Sequence, residues 1–217
     1  MNYMTSILGA AAVFLGVQSA EAAPVTYDGI TFPEGDVSFA DAVHDYSPGS
    51  GFATSGNCQT ASLALGAPNF TSGNCDNYVS LGGGGSITLR FTDNALTTSG
   101  DDTPDLHIFE IGSATESIRV EISVDASSWI DFGYFSGQPS SLDIDAKAGV
   151  VPFEKYYYVR LTDNPGLGPH EGVYSGADID AVGAISSTAP AIPLPASGLL
   201  LLGGVAGLGA LRRRARG

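Results

Sequence analysis

The sequence predicts an all-β protein built as a single antiparallel β-sandwich. Three observations carry that prediction. In its clearest stretches apolar and polar residues alternate with period two, the signature of strands with one buried face. Clusters of Gly, Pro, Asp and Ser interrupt those stretches at regular intervals. Between residues 23 and 188 no segment keeps a helical period, apart from one short turn around Ala61 to Leu65.

The elements follow in order. Ile7 to Val17 is an apolar core, and Ala20-Glu21-Ala22 is a small-x-small cleavage site, so residues 1–22 read as a signal peptide. Its first residues depart from the usual pattern in carrying no Lys or Arg. Residues 23–188 form one domain, large enough to bury a core without metals or many crosslinks. Pro48-Gly49-Ser50-Gly51 is a turn, and Gly82 to Gly85 another. Ser86 to Thr92 sets Ile87, Leu89 and Phe91 on one face. Asp93 to Pro104 is a polar turn cluster, followed by Asp105-Leu106-His107-Ile108-Phe109-Glu110. Glu110 there shares parity with Leu106 and Ile108, an odd place for a charge. Ser117 to Asp125 alternates without a fault, with Ile118, Val120, Ile122 and Val124 inward. Tyr157, Val159 and Leu161 line one side of a strand whose other side shows Tyr156, Tyr158 and Arg160. After turns from Asp163 to Gly176, Asp178 to Ile185 is the last strand of the domain.

Charge narrows the function. The domain holds every acidic residue but Glu21, 22 in all, against Arg90, Arg119, Lys147, Lys155 and Arg160, a net of −17. No basic surface exists to neutralise phosphates, so nucleic acid is excluded as a partner. Sixteen of the acids are Asp, which suits turns and also hard cations such as calcium. Cys58 and Cys75 are the two cysteines, and in an oxidising compartment they read as one disulfide closing a Gly/Ser/Asn-rich loop. A zinc site would need further ligands at short spacing, and no nearby His supplies them.

The metal candidates are carboxylates. Asp178 and Asp180 stand at i and i+2 of a strand and face one way; a cation relieves their repulsion. Asp105 and Glu110 are further candidates. Asp143 and Asp145 repeat the Asp-Ile-Asp spacing, but with Leu142 and Ile144 apolar they are expected to face water. The competing reading of all these residues is a set of solvated acids at strand ends. No EF-hand loop, zinc-protease helix, serine elbow or P-loop motif occurs, and Gly82 to Gly85 precedes a strand, not a helix. His44, His107 and His170 are dispersed. Phe52, Phe70, Tyr134, Phe135, Tyr156, Tyr158 and Tyr174, in or beside loops, are rings on which sugars could stack.

The C-terminus, residues 189–217, has three parts. Ile192-Pro193-Leu194-Pro195-Ala196 is a rigid motif, Gly198 to Leu211 an apolar span, and Arg212, Arg213, Arg214 and Arg216 a basic end. Positive charge beyond an apolar span keeps that end cytoplasmic and places the domain outside. The span is short and rich in glycine for a permanent anchor, although an ordinary single-span anchor is the competing reading. The tail resembles a PEP-CTERM-type sorting signal, in the variant with Val-Pro-Leu-Pro-Ala, with Ile192 in place of the valine. That resemblance implies an exported protein of a Gram-negative bacterium, held transiently in the inner membrane by a short transmembrane helix. It further implies processing by an exosortase and delivery to the cell surface or an extracellular polysaccharide matrix.

A second resemblance concerns the domain. Ser117 to Trp129 resembles the discoidin strand-turn-Trp segment, with Ala126 where a turn glycine is usual. Tyr157-Tyr158-Val159-Arg160-Leu161 and Asp178 to Ile185 resemble later strands of related carbohydrate-binding modules. The set implies a galactose-binding-like jelly roll over roughly 37–186. In such modules a structural calcium sits between the first and closing strands, which would pair Asp41 with Asp178 and Asp180. Trp129 resembles the family's core residue.

The expected function is therefore an exported, non-catalytic surface or matrix protein stabilised by calcium. The alternative is a carbohydrate-binding module for exopolysaccharide; a second is a glycoside hydrolase with an unrecognised acid pair.

Overall fold

The computed structural model describes residues 23–52, 58–71, 75–166, 172 and 174–187. The predicted signal peptide and the whole sorting tail, Pro193 to Ala196 and Arg212 to Arg214 included, lie outside the described residues. Among those described, no helix is long and apolar enough to cross a membrane.

The described chain forms eleven strands and two short 3-10 turns: β1 (Val25–Tyr27), β2 (Ile30–Phe32), the turn Gly35–Ser38, β3 (Ala42–Ser47), the turn Ala61–Ala64, β4 (Val79–Ser80), β5 (Ser86–Arg90), β6 (Leu106–Ile111), β7 (Ile118–Ser123), β8 (Ile130–Phe135), β9 (Ser140–Leu142), β10 (Tyr158–Asp163) and β11 (Asp178–Ala184). Two antiparallel sheets face each other. One has five strands in the order β3-β5-β10-β7-β8, the other four in the order β4-β11-β6-β9. The all-β, antiparallel expectation holds.

Alternation builds the core. Ile87, Leu89, Ile118, Val120, Ile122, Val159 and Leu161 point from the five-stranded sheet onto Val79, Leu106, Ile108, Leu142, Ile179 and Val182 of the other. Burying each such side chain contributes about 1.5–3 kcal/mol. Ile179 and Val182 both reach this core because the β11–β6 register shifts between Ile179 and Ala181. That bulge makes Asp180 an extra residue in the strand.

A second apolar cluster covers the outer face of the four-stranded sheet. The β1–β2 hairpin, turned by Asp28-Gly29 with both residues at positive φ, lays Phe32 beside Phe39, Phe109 and Ala181. Gly183 lies directly beneath: a Cβ there would fall 2.7 Å from both the Phe32 and Phe39 rings.

Cys58 and Cys75 form the expected disulfide. Tyr156 corrects the alternation read from sequence. The chain is irregular just before β10, and Tyr156 turns into the core, its hydroxyl accepting a 2.8 Å hydrogen bond from Val151 N. Trp129 departs from the core position its resemblance implied. It is half-buried, and the Arg160 guanidinium lies over its ring, 4.2 Å from the centroid.

Candidate metal centre

The polar segment from Asp93 to Pro104 joins β5 to β6, and its far end delivers Asp105 into the sandwich. Backbone bonds fix that residue on both sides: Asp105 N donates to Leu142 O at 2.8 Å, and Asp105 O accepts from Ile185 N at 2.7 Å. Its carboxylate is fully buried. Oδ2 accepts from Ile144 N at 2.9 Å, while Oδ1 meets no hydrogen-bond partner. Burial raises its pKa, the Ile144 N–H and the neighbouring Ser186 and Ser99 hydroxyls oppose that rise, and the nearby Asp145 charge adds to it.

Asp143 and Asp145 follow β9 and come to the same place. One carboxylate oxygen from each of Asp105, Asp143 and Asp145 lies within 4.8 Å of the others. Asp145 holds the loop as well: its Oδ2 accepts from Ser99 N at 3.1 Å and Ser99 Oγ at 3.0 Å, and both oxygens lie 3.2 Å from Gly100 N. Asp143 Oδ1 accepts from Asp145 N at 2.8 Å, which orients the second carboxylate. The expectation that Asp143 and Asp145 simply face water misses this convergence; each is half-buried. Their Asp-Ile-Asp spacing was legible, but the crossing of two distant segments was not.

The same loop gathers polar atoms left without partners. Of the eleven such buried side-chain atoms among the described residues, six belong to Asp93, Asn94, Thr97, Asp105 and Ser187. Thr97 N bonds Ser186 O, so the loop runs beside the segment that leaves β11. An unsatisfied buried polar atom costs about 1–3 kcal/mol, so these atoms call for a hydrogen-bonding or coordinating partner.

The remaining predicted ligands are not brought together. Asp41 Oδ2 accepts from Thr92 N at 2.8 Å beside Asp93, whose pKa is raised by burial and then by the Asp41 charge. Among the described residues the carboxylates close enough to share an ion are Asp105, Asp143 and Asp145, and Asp41, Asp178 and Asp180 are not among them. Asp180, on the bulge, accepts from Asn69 N and Phe70 N at 3.1–3.2 Å. Asp178 accepts a short hydrogen bond from Ser80 Oγ, and burial pushes its pKa up to about 7.

Glu110 fulfils the oddity noticed in sequence. It faces inward opposite Ile179, is 2% exposed, and neither oxygen meets a partner in hydrogen-bond geometry. Burial pushes its pKa up to about 10, with Glu116 alongside adding to the rise and Gln138 opposing it. Burial thus favours its protonated, neutral form. Glu116, also buried, escaped sequence reasoning because no periodicity places the β6–β7 connection.

Three Asp carboxylates without nitrogen or sulfur donors suit a hard cation, and calcium's flexible oxygen-rich shell more than magnesium's octahedron. A serine nucleophile of the Ser-His-Asp kind would need a basic imidazole oriented by a carboxylate. His107 lies 2.8 Å from Ser141 Oγ through Nδ1, but its Nε2 is unpartnered and burial lowers its pKa to about 4. His44 packs edge-on against Tyr158.

No family model matches the chain. No curated protein sequence matches it either. Among solved structures, the chain is similar to the C-terminal domain of a chitobiase from Bacteroides fragilis, at 15% identity and a TM-score of 0.37, covering 71% of this chain and 96% of that one.

Proposed function

We propose that this chain is an exported, non-catalytic surface or matrix protein whose β5–β6 loop is locked by calcium at Asp105, Asp143 and Asp145. The convergence of those three carboxylates on a fully buried Asp105 with an unpaired oxygen carries the reading. The disulfide between Cys58 and Cys75 supports folding in an oxidising compartment, and the tripartite tail supports delivery by an exosortase through the inner membrane. Calcium in this role ties the loop to the β9 exit; it performs no chemistry.

Thermal melting tests the reading. With a Kd of about 10⁻⁴ M, typical of extracellular sites, about 10 mM calcium adds roughly 2.7 kcal/mol, or about 5–10 °C in Tm. The protein is expected to melt higher in calcium than in chelator, and Asp145→Asn with Asp143→Asn is expected to abolish the difference. Equal melting of the unaltered protein in both conditions overturns the calcium assignment. Mass spectrometry of the natural C-terminus tests the sorting route, with trimming near Ala196 expected and an intact Arg-rich end against it.

A further inference from the structure

A cleft of about 310 Å³ opens where the turn from β7 to β8 meets the segment leading into β10. That volume is at the lower bound of small-molecule sites, which run ~300–1,000 Å³. Ile122, Ile130 and Tyr156 line its apolar interior, and Trp129, Val124 and Val151 lie nearer its mouth.

The tryptophan is held ready. Arg160 lies over its ring, and Glu121 grips the same guanidinium through two hydrogen bonds of 2.6 and 2.7 Å. A ring fixed before binding spares the ligand the cost of ordering it. The mouth is costly without an occupant. Val124 and Val151 are 42% and 53% exposed, and Phe153, between two cleft residues, is 74% exposed. These are three of the six large hydrophobics exposed among the described residues.

The polar groups decide what fits. Asp125 and Glu154 both line the cleft. Asp125 is committed to its turn, accepting from Ser127 N and Ser128 N at 2.9 and 3.0 Å. Glu154 is exposed, with one oxygen on Lys155 N at 3.2 Å and the other open to a donor. Arg160 is occupied by Glu121, so no cation lines the cleft to receive an anion. A net charge of −17 on the domain repels anions further.

We propose that this cleft binds a neutral hexose unit of a polysaccharide, its C–H face against the Trp129 ring and its hydroxyls donating to Glu154. A hexose joins a flat apolar face to several hydroxyl donors, matching one ring and one acceptor carboxylate. Uronates are rejected by charge. The site is separate from the calcium loop and goes beyond that reading.

The chain's one tryptophan reports directly on this site. The purified full chain is titrated with neutral gluco-, manno- and galacto-oligosaccharides, with an oligogalacturonate and with an oligolysine peptide, following Trp129 fluorescence. At least one neutral oligosaccharide is expected to give a saturable change, and oligogalacturonate none. Glu154→Gln is expected to weaken that binding about tenfold, whereas Thr31→Ala, on an exposed β2 position outside the cleft, leaves it unchanged. No saturable change with any neutral sugar overturns the proposal; so does equal binding of the uronate, binding of oligolysine alone, or a Glu154→Gln variant that binds as well as the parent. The melting test of the calcium site uses no sugar, so either reading can fail without the other.

Discussion

Gly183 shows how strongly single residues are constrained in this sandwich. Two phenyl rings occupy the place of its missing Cβ, and both are fully buried. Gly183→Ala must push Phe32 or Phe39 aside, at an expected cost of about 1–3 kcal/mol by urea denaturation. Nothing in the local sequence separates this glycine from the others, because the rings that need it come from the hairpin and the Gly35–Ser38 turn. Glu110 is the opposite case, legible from parity alone. Its folded pKa lies far above the unfolded value, so the native state holds a proton that the unfolded chain releases. Stability is then full below about pH 4.5 and falls as pH rises toward 10, by up to about 1.4 kcal/mol per unit from this group. Glu110→Gln keeps the neutral form and is expected to flatten the alkaline limb of a plot of stability against pH. An unchanged limb would show that the proton is held elsewhere.

At the level of elements, alternation sufficed where strands are regular. Ser86 to Arg90 and Ile118 to Ser123 pair as their period implies. It failed where the period breaks. The bulge at Asp180 lets two apolar residues three apart share the core, and no pattern in Asp178-Ile179-Asp180 announces it. The grouping of the carboxylates was hidden for the same reason: which of them converge depends on which loops cross, and sequence spacing sees only one loop at a time. Asp105 was found by its chemistry, and its partners Asp143 and Asp145 only by the fold. The disulfide was readable because two cysteines allow one pairing. Replacing Cys58 and Cys75 by Ser releases a loop of 17 residues in sequence separation, an expected loss of about 3 kcal/mol in the chain-entropy account. Equilibrium unfolding with and without reductant checks it: the parent should lose stability on reduction and the double variant should not.

Across the whole molecule, the loop from Asp93 to Pro104 links regions that are distant in sequence. Leu96 exchanges backbone hydrogen bonds with Tyr156, and Thr98 Oγ1 accepts from Phe153 N at 2.9 Å, so one wall of the Trp129 cleft is fastened to the loop that Asp145 holds. A cation at the proposed carboxylate site would stiffen the wall against which a ligand would rest. This arrangement also bears on when the domain can finish folding. Inside a bacterium, free calcium is scarce and thiols stay reduced. On the proposed route of export, a precursor made there would lack both the ion for the Asp93 to Pro104 loop and the crosslink between Cys58 and Cys75, and would stay loose enough to be threaded through a translocon. Maturation on that route would await the far side of the membrane, where both become available and the two loops could set.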